Sequence, residues 1–124
     1  MITIKNYGYE QKKKSIAPFI LVEHEDSASL ILNISDELLD LFSIDAEEDF
    51  NNDGYDWEAL AKCYLHKGCI SLTDEVGFDS ESSMFCMYSS NISDLISFGQ
   101  SFRDACFDTS FLKEMLSEID DFRD

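Results

Sequence analysis

The run Asp49-Phe50-Asn51-Asn52-Asp53-Gly54 sets carboxylate and amide oxygens at alternate positions before a glycine. That is the first half of a calcium loop, which needs oxygen ligands at positions 1, 3, 5 and 12 and glycine at 6. Position 12 is Leu60, which supplies no bidentate carboxylate, and position 8, apolar in paired loops, is Asp56. A helix beginning near Trp57 would also start inside the loop, and no second loop of this kind occurs in the chain. The same letters serve better as a helix start. Asp53 or Asp56 accepts from the first free helical N–H groups and complements the helix dipole. Gly54 is read as allowing a positive φ where the loop turns into the helix, while Tyr55 and Trp57 add large apolar area with polar handles.

Other chemistry is sparse. Cys63, His66 and Cys69 are evenly spaced, but a structural zinc site takes four ligands, usually with cysteines in close pairs. Cys63 reads instead as a core filler and His66 as a last-turn residue favourable to the helix dipole. The four cysteines, 63, 69, 86 and 106, lack Cys-x-x-Cys spacing and are read as reduced thiols used as small hydrophobes. His24 sits among Glu23, Glu25 and Asp26, a solvated turn setting. No nucleophile elbow, phosphate loop or dinucleotide fingerprint is present, and carboxylates are too abundant for any acid/base pair to stand out. The chain is therefore read as a non-enzyme without cofactor or metal.

Charge is the strongest signal. Twenty-six acidic residues face nine basic ones, a formal net charge of −17. Between Lys14 and Lys62 lie thirteen acids and no cation, and between Lys67 and Arg103 five more. Nucleic acid and anionic membrane would be repelled, so the expected partner is a basic protein surface. The plainer alternative is an acidic protein kept soluble by its charge. No apolar stretch reaches membrane-spanning length, and the N-terminus lacks the apolar core of a secretory signal, so a cytoplasmic protein is expected.

The elements that must position these residues follow from periodicity. At 124 residues the chain is read as one domain. Pro18 to Glu23 and Ser27 to Ile34 read as strands of a hairpin, with Ala28, Leu30, Leu32 and Ile34 sharing one face. Ile20, Val22 and Ile31 fall on the opposite face, so both sides are expected to be at least partly covered. Ser35 is expected to cap a short helix reaching Ser43. Trp57, Leu60, Ala61, Tyr64 and Leu65 form a helical stripe that Gly68 ends. Val76 to Asp79 and Met84 to Ser89 read as strands joined by Ser80-Glu81-Ser82-Ser83. Asn91 caps a helix facing inward through Leu95, Ile96, Gly99, Phe102 and Cys106, and a last helix from Thr109 buries Phe111, Leu112, Met115, Leu116 and Ile119. Residues 1–14 are read as an edge strand or a loose segment. The order β-β-α-α-β-β-α-α implies an α+β fold, an antiparallel sheet of about four to five strands carrying helices.

Gly54-Tyr55-Asp56-Trp57 with Leu60-Ala61, Phe78-Asp79, and Met84-Phe85-Cys86 with Tyr88-Ser89 resemble the signature of the immunity protein 51 family, from about Pro18 to Ile119. The chain departs from that pattern at Ser80-Glu81-Ser82-Ser83, where a Pro-Glu-Ala-Gly-like turn is usual, and at Asn52-Asp53, where Gly-Asn is frequent. The resemblance implies a cytosolic antidote of a bacterial polymorphic-toxin or contact-dependent inhibition system. It would bind and block a cognate toxin domain, often one that attacks nucleic acid. On that reading the contact acids are Asp45, Glu47, Glu48, Asp49, Asp53, Asp74, Glu75, Asp79 and Glu81. The competing reading is an acidic adaptor for another basic protein.

Overall fold

The computed structural model describes residues 16–45 and 48–124. The expected edge strand at residues 1–14 and the candidate Glu47 lie outside them. Strands β1 (Ile20–Glu23) and β2 (Ala28–Asn33) form the first hairpin. Strands β3 (Gly77–Phe78) and β4 (Met84–Ser89) form the second. The sheet is antiparallel throughout in the order β1-β2-β4-β3, with Leu30 opposite Met87 and Leu32 opposite Phe85. Helices α1 (Glu37–Leu41), α2 (Gly54–His66), α3 (Ile92–Phe107) and α4 (Thr109–Glu118) complete the expected α+β order, and a 3-10 turn follows at Ile119–Phe122.

The two-residue period puts Leu30, Leu32, Phe85 and Met87 on one face, each at most 1% exposed, and α2 and α3 pack against that face. Its centre is aromatic. Phe19 meets Trp57, Phe85 and Phe102 at centroid distances of 5.7–6.4 Å, mostly edge to face. Full burial of each such ring stabilises the fold by about 1.5–3 kcal/mol. Gly99 lets α3 lie close against the core, since a Cβ there would meet Ile16 and Leu30 side-chain carbons at 3.0 and 3.2 Å. The opposite face is only partly covered: Val22 and Ile31 are half-buried, and Ile20 and Tyr88 stay exposed.

Several boundaries shift for physical reasons. The first helix starts one residue late, with Asp36 rather than Ser35 at its N-cap and no side-chain cap bond. Asn91 does cap α3 as expected, its Oδ1 accepting from the Asp94 N–H at 3.0 Å. Gly68 ends α2 at φ 74°, its N–H donating to the Leu65 carbonyl. Helix α2 itself begins at Gly54, three residues before Trp57, because Asp53 rather than Asp56 is the cap.

Candidate functional site

The start of α2 gathers a dense network of polar contacts among the described residues. Asp53 Oδ1 accepts from the Asp56 N–H at 2.8 Å, satisfying one free donor of the first turn. The left-handed residue at the entry to the helix is Asn52, at φ 53°, not Gly54. Asparagine tolerates that conformation, and here its side chain has two engagements. Its Oδ1 accepts from the Trp57 indole N–H at 2.9 Å, and its Nδ2 donates to the Ser35 carbonyl at 3.0 Å.

Gly54 is required for closeness rather than for φ. A Cβ on it would lie 1.8 Å from the Glu81 carbonyl oxygen and 2.3 Å from that of Met84. The Gly54 N–H donates to the Ser82 carbonyl at 3.0 Å. The β3–β4 turn, closed by paired bonds between Glu81 and Met84, is therefore seated directly on the first turn of α2. This contact joins Gly54-Tyr55-Asp56-Trp57 to Met84-Phe85-Cys86. Trp57, Leu60, Phe85 and Cys86 continue it into the core, Phe78 and Met84 are half-buried at its margin, and Tyr55 and Tyr88 face outward. The Tyr88 ring lies over Gly77, whose missing side chain makes room for it.

Asp56 has a different role from capping. It is 4% exposed, and a buried carboxylate is costly unless paired and hydrogen-bonded. Arg123 supplies the pair as a fork, Nε to Oδ1 at 3.0 Å and Nη2 to Oδ2 at 2.8 Å, and the Asn51 N–H donates to Oδ2 at 2.7 Å. The same guanidinium binds the Asp49 carboxylate at 3.3 Å, the Asp49 carbonyl at 2.6 Å, and Asp120. These carboxylates, Asp56 foremost, push the Arg123 pKa upward. The positive charge gathered by the calcium-like loop is thus the chain's own arginine. Arg123 lies 67 residues from Asp56, and no local spacing announced it. Asp94 is a second unforeseen latch: it is buried on α3 and accepts from the Thr73 and Asp74 N–H groups at 2.9 Å.

The structure divides the candidate contact acids. Asp45 is exposed in the α1–α2 loop, and Glu48 is half-buried there. Asp49 is exposed but held by Arg123, and Asp53 is half-buried with Oδ1 engaged as the cap. Asp79 and Glu81 are exposed on the second hairpin, which the Gly54 contact brings beside Asp53. Asp74 and Glu75 are also exposed but precede β3, so they sit toward the opposite end of β4. Beside the α2 start lies a cavity of about 300 Å³, lined among others by Asp53, Tyr55, Glu58, Phe122, Arg123 and Asp124.

Most described cations are already engaged. Lys62 pairs with Glu58 at 3.1 Å, Lys67 with Glu118 and Glu114 at 2.8 and 2.9 Å, and Arg103 with Asp104 at 3.0 Å. Glu118 and then Glu114 raise the Lys67 pKa. Only Lys113, exposed on α4, has no acidic partner among the described residues. Asp45, Asp79 and Glu81 consequently have no internal counter-charge there.

The metal candidates are dispersed among other tasks. Cys63 is buried and directs its thiol to the Met115 carbonyl, His66 packs its ring on Phe122 at 5.4 Å, and Cys69 is exposed. Among the described residues no group of three or more His, Cys, Asp or Glu is placed to hold a metal ion. His24 is an exposed hairpin residue whose Nε2 is 3.2 Å from Ser29 Oγ. No helix of the described residues is long and apolar enough to cross a membrane.

Searches of curated proteins and of solved structures returned no match. A family model does match. The model described as Immunity protein 51 covers residues 19–121, from the first core aromatic through α2, the second hairpin and both long helices, and the chain belongs to the immunity protein 51 family.

Proposed function

We propose that this immunity protein is a cytoplasmic, non-enzymatic antidote that binds a basic cognate toxin domain, one acting on nucleic acid, and blocks it through an acidic surface. The observation that carries this reading is the fate of the charges. The described cations, Lys113 apart, are consumed in internal pairs, while Asp45 in the α1–α2 loop and Asp79 and Glu81 on the hairpin seated at the α2 start stay exposed with no ion-pair partner among the described residues. Such a field raises the encounter rate with a positively charged cleft. It also disfavours binding of the chain itself to nucleic acid or anionic membrane. Blockade follows either by carboxylates entering the toxin's cleft or by covering its rim.

The test is a pull-down with the product of the adjoining gene, followed by rescue of cells expressing that product. Association should slow strongly between about 50 and about 500 mM salt, across which exposed charges become screened. Rescue with salt-independent association would remove the acidic-surface mechanism. Capture without rescue would favour an acidic adaptor instead.

A further inference from the structure

A second concave surface lies beside the acidic one and differs from it in chemistry. Pro18, Leu38 and Leu41 form the apolar part of a groove of about 500 Å³, and Asn33, Ser35, Glu37 and Asp40 complete it. That volume falls within the range of pockets that enclose a ligand group, roughly 300–1,000 Å³. Leu41 is 47% exposed although it is a large apolar residue, whereas Leu38 of the same helix is buried. The only charged residues lining the groove are acids, and exposed Asp36 adjoins them. None of these three acids has an ion-pair partner among the described residues. Arg103, whose side chain reaches the chain next to Pro18, is tied to the Ala17 carbonyl at 2.6 Å and to Asp104.

The groove is continuous with the α2 start. Asn33 pairs with Met84, the Ile34 N–H donates to the Ser83 carbonyl at 3.0 Å, and the Ser35 carbonyl accepts from Asn52. One end of the sheet therefore presents an apolar groove with an acidic rim next to the acidic second hairpin.

We propose that this groove is the anchor pocket for the toxin: it takes an apolar side chain from a toxin segment in which lysine or arginine flanks that side chain. This rests on the antidote reading above and adds where affinity, as opposed to encounter rate, is generated. Desolvated apolar anchors set dissociation, whereas rim charges set association. Charge complementarity selects the occupant, since a rim of carboxylates without ion-pair partners among the described residues repels an acidic or second-copy partner and attracts a basic one.

The experiment measures binding kinetics of the full chain against the purified product of the adjoining gene. Leu41→Glu places a charge in the apolar wall and should speed dissociation at least about tenfold, with association little changed. Asp40→Lys, on the exposed rim, should slow association and flatten its salt dependence. Trp57 fluorescence during urea unfolding checks that both variants fold. If the unaltered chain fails to bind the toxin domain, the antidote reading and the groove fall together. If it binds and Leu41→Glu dissociates at the unaltered rate, the groove alone is overturned. Two further outcomes overturn it when toxin dissociation is unchanged. Conversion of a dimer to a monomer on light scattering would assign the groove to a second copy, and a lowered unfolding midpoint of the free chain would assign it to the chain's own residues.

Discussion

Gly54→Ala is a change that helix propensity alone would favour, because alanine is up to about 1 kcal/mol better than glycine inside a helix. The structure predicts the opposite sign. The added methyl carbon would stand 1.8 Å from the Glu81 carbonyl oxygen, a backbone atom that no side-chain rotation can move. Restoring an ordinary carbon–oxygen contact of roughly 3.3 Å requires the hairpin turn to retreat about 1.5 Å. The Gly54-to-Ser82 hydrogen bond, now 3.0 Å, would be lost in that movement. Overpacking of this kind costs about 1–3 kcal/mol and the bond about 1 more. Because Gly54 is the first helical residue, little propensity gain offsets this, and the net loss should be about 2–3 kcal/mol. Urea unfolding followed by the buried Trp57 reports it directly, and the melting midpoint should fall by roughly 10 °C. Gly68→Ala is the control: φ is 74° there but nothing lies within 4 Å of the added carbon, so only the left-handed strain of about 1 kcal/mol applies. A Gly54→Ala protein that unfolds at or above the unaltered midpoint would refute the seating of the hairpin on α2.

Arg123→Ala strands Asp56 as a buried carboxylate and should destabilise by about 3 kcal/mol in urea unfolding. Adding Asp56→Asn should recover part of that loss, and simple additivity of the two changes would refute the pairing. Native-state titration with a thiol reagent should find Cys69 fast and Cys63, Cys86 and Cys106 slow until urea is added, as the latter are buried and burial raises their pKa values. Lys67→Met removes a cation whose folded pKa is raised, so the lost stability is fully present below the ordinary lysine value of 10.5 and vanishes as pH rises through the folded one. The stability gap between Lys67→Met and the unaltered chain should stay flat from about pH 6 to about pH 9 and close only in alkali.

The element order and the core face were readable because both follow from local rules. Alternation along Ala28 to Ile34 and the helical stripe from Trp57 to Leu65 each require one apolar side, and the structure buries Leu30, Leu32, Trp57, Leu60 and Tyr64 accordingly. Caps were legible to within a residue at Asn91 and Gly68, where the backbone demand is local. Gly54 was recognised as special for the wrong reason. The letter G announces freedom of φ, but the crowding carbonyls come from residues 27 and 30 positions later in the chain.

What the sequence determined by itself, then, was an acidic α+β scaffold with two hairpins and helices of known inward faces, since hydrophobic period and net charge are properties of neighbours in the chain. Tertiary structure decided which acids are surface and which are internal. It assigned Arg123 to the calcium-like loop, closed the second hairpin over α2, and left an apolar groove beside carboxylates that pair with no cation among the described residues. Those outcomes depend on side chains tens of residues apart meeting at a few ångströms, where desolvation and steric exclusion act but no sequence period can register them.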